Sequence, residues 1–367
     1  MIQRNKPEHL YVHVPFCKTI CSYCDFVHSV YQSKLVDEWL IALQKEITYK
    51  DINPNLKTIY IGGGTPSCLS NEQLDSLLSL LDPYCNDVKE YTIEINPETM
   101  DEHKVKILRN HHINRVSIGL QTTNEKLLQL MNRHHTYSDI QNSIDLLRKN
   151  EINNISLDIM YSLPFQTMDM LKTTIDDALL LHPTHLSLYS LTIEENTVFS
   201  KKGYTALDED TEADMYEYLV NTLEQNGFHQ YEVSNFSYGD YESMHNKAYW
   251  NYRDFYGISS GASGKENHIR YDKPRSLKEY INDPFKQNDI VLDLNDEMFE
   301  MLMMGIRLKK GMNLPLFEET FHQKFIEVYG EKIKPLLKKN LVEINDSYFR
   351  CSEQGYEIMN SILVELM

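Results

Sequence analysis

Six short apolar runs, each followed by an amphipathic stretch, leave few folds open to this chain. The runs are Leu10–Val14, Thr58–Ile61, Tyr91–Ile95, Arg115–Ile118, Ile155–Ile159 and His185–Tyr189. Helical periodicity fills Lys34–Lys50, Asn71–Leu81, Asp101–Asn110, Ser138–Asn150 and Met168–Leu180 between them, and Leu207–Asn226 after the last. Ser138 is placed to cap its helix, Asp208, Glu209 and Asp210 favour the start of theirs, and Gly227 its end. Strands alternating with helices predict a parallel sheet with helices outside it. An open doubly wound sheet and a full or partial TIM-type barrel both satisfy this pattern, and periodicity alone does not choose. In either, ligands gather at the carboxyl ends of the strands. The residues just after each strand therefore carry the chemical interest.

The first strand leads directly into Cys17, Cys21 and Cys24, spaced C-x3-C-x2-C. Three thiolates in one loop suit three irons of a [4Fe–4S] cluster and leave the fourth iron open. The competing reading is zinc, with His13 or His28 as a fourth ligand, but no second C-x2-C pair is present. Cys68, Cys85 and Cys351 are scattered and read as buried thiols. With 367 residues and no apolar signal core in residues 1–7, a disulfide framework is not expected. No apolar run approaches a membrane span, and a cytoplasmic protein is the default. A net charge of −18 argues against non-specific nucleic-acid binding.

Later strand ends add polar groups. Gly62, Gly63 and Gly64 follow the second strand, where a tight turn needs fewer glycines and a ligand-contact loop uses all three. Glu94 and Asp158 are carboxylates inside otherwise apolar strands and need partners. Gln121 ends the fourth strand, and Arg133 offers a guanidinium suited to a carboxylate. Each of these has a plain structural reading as a cap or a satisfied core polar group. As a series at successive strand ends they exceed what packing requires.

After Gly227 the alternation weakens, and residues 228–275 are rich in Tyr, Asn, Ser and Gly. Within them, Gly257–Lys265 looks like a phosphate loop but lacks its spacing. Helical stretches return at Asp296–Leu308, Pro315–Tyr329 and Ile333–Lys339. A short β pair, Leu341–Ile344 and Tyr348–Cys351, and a last helix, Glu353–Leu366, suggest a winged-helix-like unit. Such units serve DNA binding or plain packing.

The cysteine loop resembles the signature of the radical S-adenosylmethionine superfamily. The strand ends match the oxygen-independent coproporphyrinogen III oxidases and their relatives over nearly the whole chain. That resemblance implies a partial (β/α)6 barrel over 1–230, an irregular segment over 231–290 and a mostly helical, winged-helix-like domain over 291–367. It implies a cluster on Cys17, Cys21 and Cys24. It also implies S-adenosylmethionine contacts from Tyr11, Tyr23, Gly63, Gly64, Thr65, Glu94, Gln121, Arg133 and Asp158, with Tyr23 near the adenine. Two features depart from the oxidases: Phe26 stands where they carry a further cysteine, and only ten residues precede Tyr11. Cys24-Asp25-Phe26 instead resembles the HemW-type haem chaperones, as does His245-Asn246-Lys247-Ala248-Tyr249-Trp250, which matches their H-N-x-x-Y-W motif.

The resemblance implies haem binding through His245, Asn246, Tyr249 and Trp250. Histidine is a common axial ligand and the aromatic rings suit a flat macrocycle. On residue chemistry alone, a hydrogen-bonded loop with core aromatics fits equally. The family implies a haem carrier that serves haemoproteins of the respiratory chain, with any membrane contact peripheral. The alternative it leaves is a radical enzyme that decarboxylates a tetrapyrrole.

Overall fold

Apolar strands that are buried on both faces need helices to cover them, and the chain supplies one after each strand. A computed structural model describes residues 6–367. The stretch 1–7, read above as lacking a signal core, lies outside the described residues as far as residue 5. Among the described residues, nine strands form the main sheet. They are β1 (His9–Val14), β2 (Thr58–Gly63), β3 (Glu90–Ile95), β4 (Arg115–Gln121), β5 (Asn154–Tyr161), β6 (His185–Ser190), β7 (Phe228–Glu232), β8 (Asn235–Tyr238) and β9 (Tyr256–Ile258). Their order across the sheet is β9-β1-β2-β3-β4-β5-β6-β8-β7. Strands β9 and β1 to β6 run parallel, and β7 and β8 add an antiparallel hairpin at the far edge. The two edges do not pair, so the barrel is partial and open.

The six predicted strands are all present and extend by one to three residues beyond the predicted ends. The segment 231–290, expected to be irregular, differs from that expectation. It carries part of β7 and all of β8 and β9, which lengthen the main sheet at both edges. β9 is three residues long and shows no alternation, so tertiary pairing with β1 makes it a strand, not sequence pattern. The predicted cap at Ser138 also gives way. Thr136 caps the helix Tyr137–Lys149 in a reciprocal box with Asp139. Its hydroxyl accepts from the Asp139 backbone N–H, while Ser138 lies inside the first turn. Asp208 caps Glu209–Gln225, and Gly227 closes it at φ +82°.

The barrel core runs from Leu10 to Tyr280, and a separate apolar cluster spans Tyr252 to Leu366. The second core is built from helices Leu294–Gly305, Leu314–Phe321 and Phe325–Lys338. A three-stranded antiparallel sheet, Met312–Asn313, Val342–Ile344 and Tyr348–Cys351, packs with them. Helices with such a sheet make the winged-helix arrangement. The predicted continuous helix Pro315–Tyr329 breaks at His322, which takes φ +54° and ends the first helix in a left-handed turn. Glu353–Leu366 likewise divides, at Ile358, into two short helices.

Candidate functional site

The carboxyl ends of β2 to β6 face one cavity of about 420 Å³, within the usual range for small-molecule sites. Only a curled sheet brings side chains from five neighbouring strands around one space. Cys17, Cys21 and Cys24 line its mouth on the loop after β1. The loop is fixed from several sides. The Ser22 N–H donates to the Met131 carbonyl at 3.0 Å, and Asn132 Nδ2 donates to Ile20 O at 2.8 Å. Phe16, just before Cys17, packs edge-on against buried Trp39, whose indole donates to Ser259 Oγ at 2.8 Å.

All six cysteines are free thiols. Burial raises the Cys17 and Cys24 thiols, the latter to about 12, so a bound cation must draw off their protons. The Thr65 hydroxyl donates to Cys17 Sγ at 3.5 Å. Among the described residues, no three His, Cys, Asp or Glu groups converge as a single-ion site. A cubane asks for thiolates held apart, each on its own iron. The donor set of three soft thiols with no fourth protein ligand fits that cluster. Cys68 instead donates to the Phe16 carbonyl, Cys85 donates to Leu81 O, and Cys351 sits in the C-terminal core.

The glycine loop closes one wall. A Cβ on Gly63, which takes φ +112°, would lie 2.6 Å from the His13 ring. One on Gly64 would lie 2.6 Å from the Phe16 carbonyl oxygen. These are close approaches that only glycine permits. Glu94 then accepts from the Gly63 N–H at 3.1 Å and the Tyr60 hydroxyl at 2.8 Å. Burial and the nearby Asp158 nonetheless raise it to about 7. Asp158 accepts from Ser117 Oγ at 2.9 Å, and burial raises it too. Gln121 reaches the cavity because β4 bulges there and the residue takes φ +61°.

Arg133 donates through Nη1 to Asn96 Oδ1 at 2.7 Å and through Nη2 to Tyr23 OH at 3.0 Å. Its buried Nε has no partner among the described residues. That orphaned donor beside the cysteine loop fits a ligand carboxylate. Tyr23, Gly63, Gly64, Thr65, Glu94, Gln121, Arg133 and Asp158 thus share one cavity. Tyr11 does not line it; its hydroxyl pairs with His13 Nδ1 at 2.9 Å behind the glycine loop. Tyr60, Asn96 and Ser117 were not singled out from sequence, and His13 was considered there only as a zinc ligand. Tyr60 and Ser117 are polar residues on inward strand positions, a signal that the alternation carried.

The His245–Trp250 segment lies beside the same cavity. It forms a half-buried helix, Met244–Trp250, seated on the carboxylate of Glu90. His245 is 1% exposed, with Nδ1 paired to Thr58 Oγ1 and Nε2 to Tyr249 OH, both at 2.7 Å. Both ring nitrogens are thus engaged in hydrogen bonds within the protein. The Arg307 guanidinium sits 4.8 Å from the Trp250 ring. Of the four residues only Asn246 lines the cavity.

Residues 11–178 match the radical SAM superfamily and residues 292–358 match the HemN C-terminal domain. Over 99% of its length the chain is 37% identical to haem chaperone HemW of Lactococcus lactis, covering 98% of that protein. The chain belongs to the HemW family of radical SAM proteins. The HemW of Bacillus subtilis is 36% identical over 96% of the chain and 97% of its own length. The Escherichia coli HemW is 30% identical over 97% of both. The solved coproporphyrinogen III oxidase of E. coli superposes with a TM-score of 0.85, over 98% of this chain and 90% of that one, at 20% identity. HemW and that oxidase therefore share one fold. Among the described residues of this HemW-family chain, no helix is long and apolar enough to cross a membrane.

Proposed function

We propose that the chain is a haem chaperone that holds a [4Fe–4S] cluster on Cys17, Cys21 and Cys24 and S-adenosylmethionine in the adjoining cavity, and that carries haem as cargo to recipient haemoproteins. The observation that carries this reading is the cavity wall. Three free thiols, an orphaned Arg133 Nε and two buried carboxylates meet in a chain that matches the named haem chaperones end to end.

When bound, the cluster supplies an open iron to which the methionine end of S-adenosylmethionine can chelate. The protein's own part is recognition. Arg133 meets the cofactor carboxylate, the Gly62–Gly64 backbone admits the methionine end closely, and Glu94 accepts from the ribose hydroxyls. Tyr23 packs against the adenine, with Gln121 and Asp158 completing the polar wall. The recipients are proteins of the respiratory chain, reached from the cytoplasmic side. With a net charge of −18 the chain has no electrostatic pull toward anionic lipid, so it meets them through protein contact.

Anaerobic reconstitution with iron and sulfide tests the cofactor part. The wild-type chain should take up both in the cubane ratio and show a reduced-cluster EPR signal that S-adenosylmethionine shifts. Replacing Cys17, Cys21 and Cys24 by Ser should abolish both. Zinc in place of iron, or a signal unmoved by the cofactor, contradicts the proposal.

A further inference from the structure

The inside of this barrel carries hydroxyls where such barrels are ordinarily filled by branched apolar side chains. Alternation turns Ser156 and Asp158 of β5, and His185 and Ser187 of β6, toward the cavity, which all four line. The strand register sets Ser156 beside His185 and Asp158 beside Ser187. Ser156 Oγ lies 2.8 Å from His185 Nδ1 and 3.4 Å from Ser187 Oγ, and Ser187 in turn hydrogen-bonds to the Asp158 carboxyl. On its other side, His185 Nε2 lies 2.9 Å from Tyr231 OH, which accepts from the Ser243 N–H at 3.2 Å. Ser243 caps the helix Met244–Trp250, and its hydroxyl donates to Glu90 at 3.2 Å. A continuous line of hydrogen bonds thus joins the wall of the cofactor cavity to the H-N-x-x-Y-W helix.

The line has a direction. A backbone N–H only donates, so the Tyr231 oxygen accepts from Ser243. Its own proton then goes to His185 Nε2, its other hydrogen-bond partner. Burial and the nearby Arg115 keep the His185 ring neutral. These partners assign the tautomer: with Nε2 bare, the ring proton sits on Nδ1 and is donated to Ser156. Ser156 turns its own proton toward Ser187, and Ser187 toward Asp158, so every donor points at the carboxylate. His185, Ser156 and Ser243 are buried, and no solvent competes for these bonds. On the cofactor reading above, Asp158 faces S-adenosylmethionine, and we propose that His185 is a positioning residue for it. It aligns the Ser156 and Ser187 donors that orient the Asp158 carboxylate, and through Tyr231 it ties that orientation to the order of the helix Met244–Trp250. The two ends share one coupling free energy, so cofactor binding tightens the helix by the same factor as loosening the helix weakens the cofactor.

The test compares the full-length, cluster-reconstituted chain with Tyr231→Phe, which keeps the ring and removes a hydroxyl outside the cavity lining. Nitrogen-15 spectra of the histidine rings, with His185 identified by its loss in His185→Gln, should show the wild-type ring protonated at Nδ1. A ring protonated at Nε2 overturns the inference. Hydrogen exchange of the Met244–Trp250 amides, with and without S-adenosylmethionine, reads the link to the helix. With the cofactor bound, the wild type should exchange at least about fivefold more slowly. Tyr231→Phe should bind S-adenosylmethionine about fivefold more weakly, with iron and sulfide content unchanged, and should lose the cofactor's effect on exchange. Wild-type affinity in Tyr231→Phe overturns the inference. So does cofactor-dependent protection that survives in it, which would come from direct contact with Asn246 across the cavity. If Tyr231→Phe loses its cluster, Ser156→Ala, which breaks the line at its middle, is judged by the same two criteria. A wild-type chain that binds no S-adenosylmethionine overturns the cofactor reading above and not the line of hydrogen bonds, which the imidazole spectrum decides by itself.

Discussion

Glu94 stands near the midpoint of its titration at neutral pH, and this makes the site sensitive to protons. Burial and Asp158 raise it to about 7 from 4.5, against the pull of Tyr60 and Gly63. With the folded value above the unfolded one, the proton favours the fold. That contribution is complete below about 4.5 and is lost as the pH rises through about 7. Ligand binding runs the other way, because ribose hydroxyls donate best to the ionised carboxylate. The affinity for S-adenosylmethionine should therefore fall below pH 7 with a limiting slope of about tenfold per unit. Calorimetric titrations between pH 6 and 8 check this. Glu94→Gln should bind more weakly at pH 8 and lose the slope, and an undiminished slope would assign it to another group. Glu94, Asp158 and the three glycines were legible in sequence because each is anomalous within an apolar strand. The packing of His13 against the glycine loop and the bond from Tyr60 to Glu94 were not, because sequence does not display contacts.

At the scale of elements, the helix Met244–Trp250 is a plug held by one carboxylate. Glu90 accepts from Ser243 Oγ at 3.2 Å, Met244 N at 2.9 Å and His245 N at 2.8 Å, with Arg115 Nη1 3.8 Å away. Glu90 and Arg115 are both almost fully buried. Glu90→Ala should cost about 3–5 kcal/mol, because it removes the ion partner of a buried guanidinium and leaves three donors unpaired. Urea denaturation measures this, and a loss under about 1 kcal/mol would show that the plug is held by packing instead. The H-N-x-x-Y-W stretch thus acts in part as a joint, since Trp250 meets Arg307 from the C-terminal unit. Its residues give equal licence to a ligand site and to packed aromatics, and in the structure both His245 nitrogens are hydrogen-bonded to Thr58 and Tyr249. The long strands and helices were readable from periodicity. β9 was not, because three residues carry no period and only the partner strand β1 defines them.

Across the whole molecule, the open barrel and the C-terminal unit meet along the segment that joins them. The Lys309 N–H donates to the Tyr231 carbonyl at 3.0 Å, Glu232 bridges to Leu308, and both Tyr252 and Arg270 bond to Glu300. The cavity sits on the barrel side of this seam, with the cysteine loop, Phe26 and His28 at its mouth. Phe26 in place of a further cysteine separated the carrier reading from the oxidase reading in sequence, and the fold shared with the oxidase leaves that distinction to chemistry. The central claim is that this chain moves a tetrapyrrole without transforming it. The direct measurement is an anaerobic mixture of the cluster-reconstituted, haem-loaded chain with S-adenosylmethionine, reductant, coproporphyrinogen III and an apo-haemoprotein, followed by chromatographic analysis of every tetrapyrrole. The account predicts intact haem on the acceptor and unchanged coproporphyrinogen III; protoporphyrinogen IX, with haem still on the chain, would contradict it.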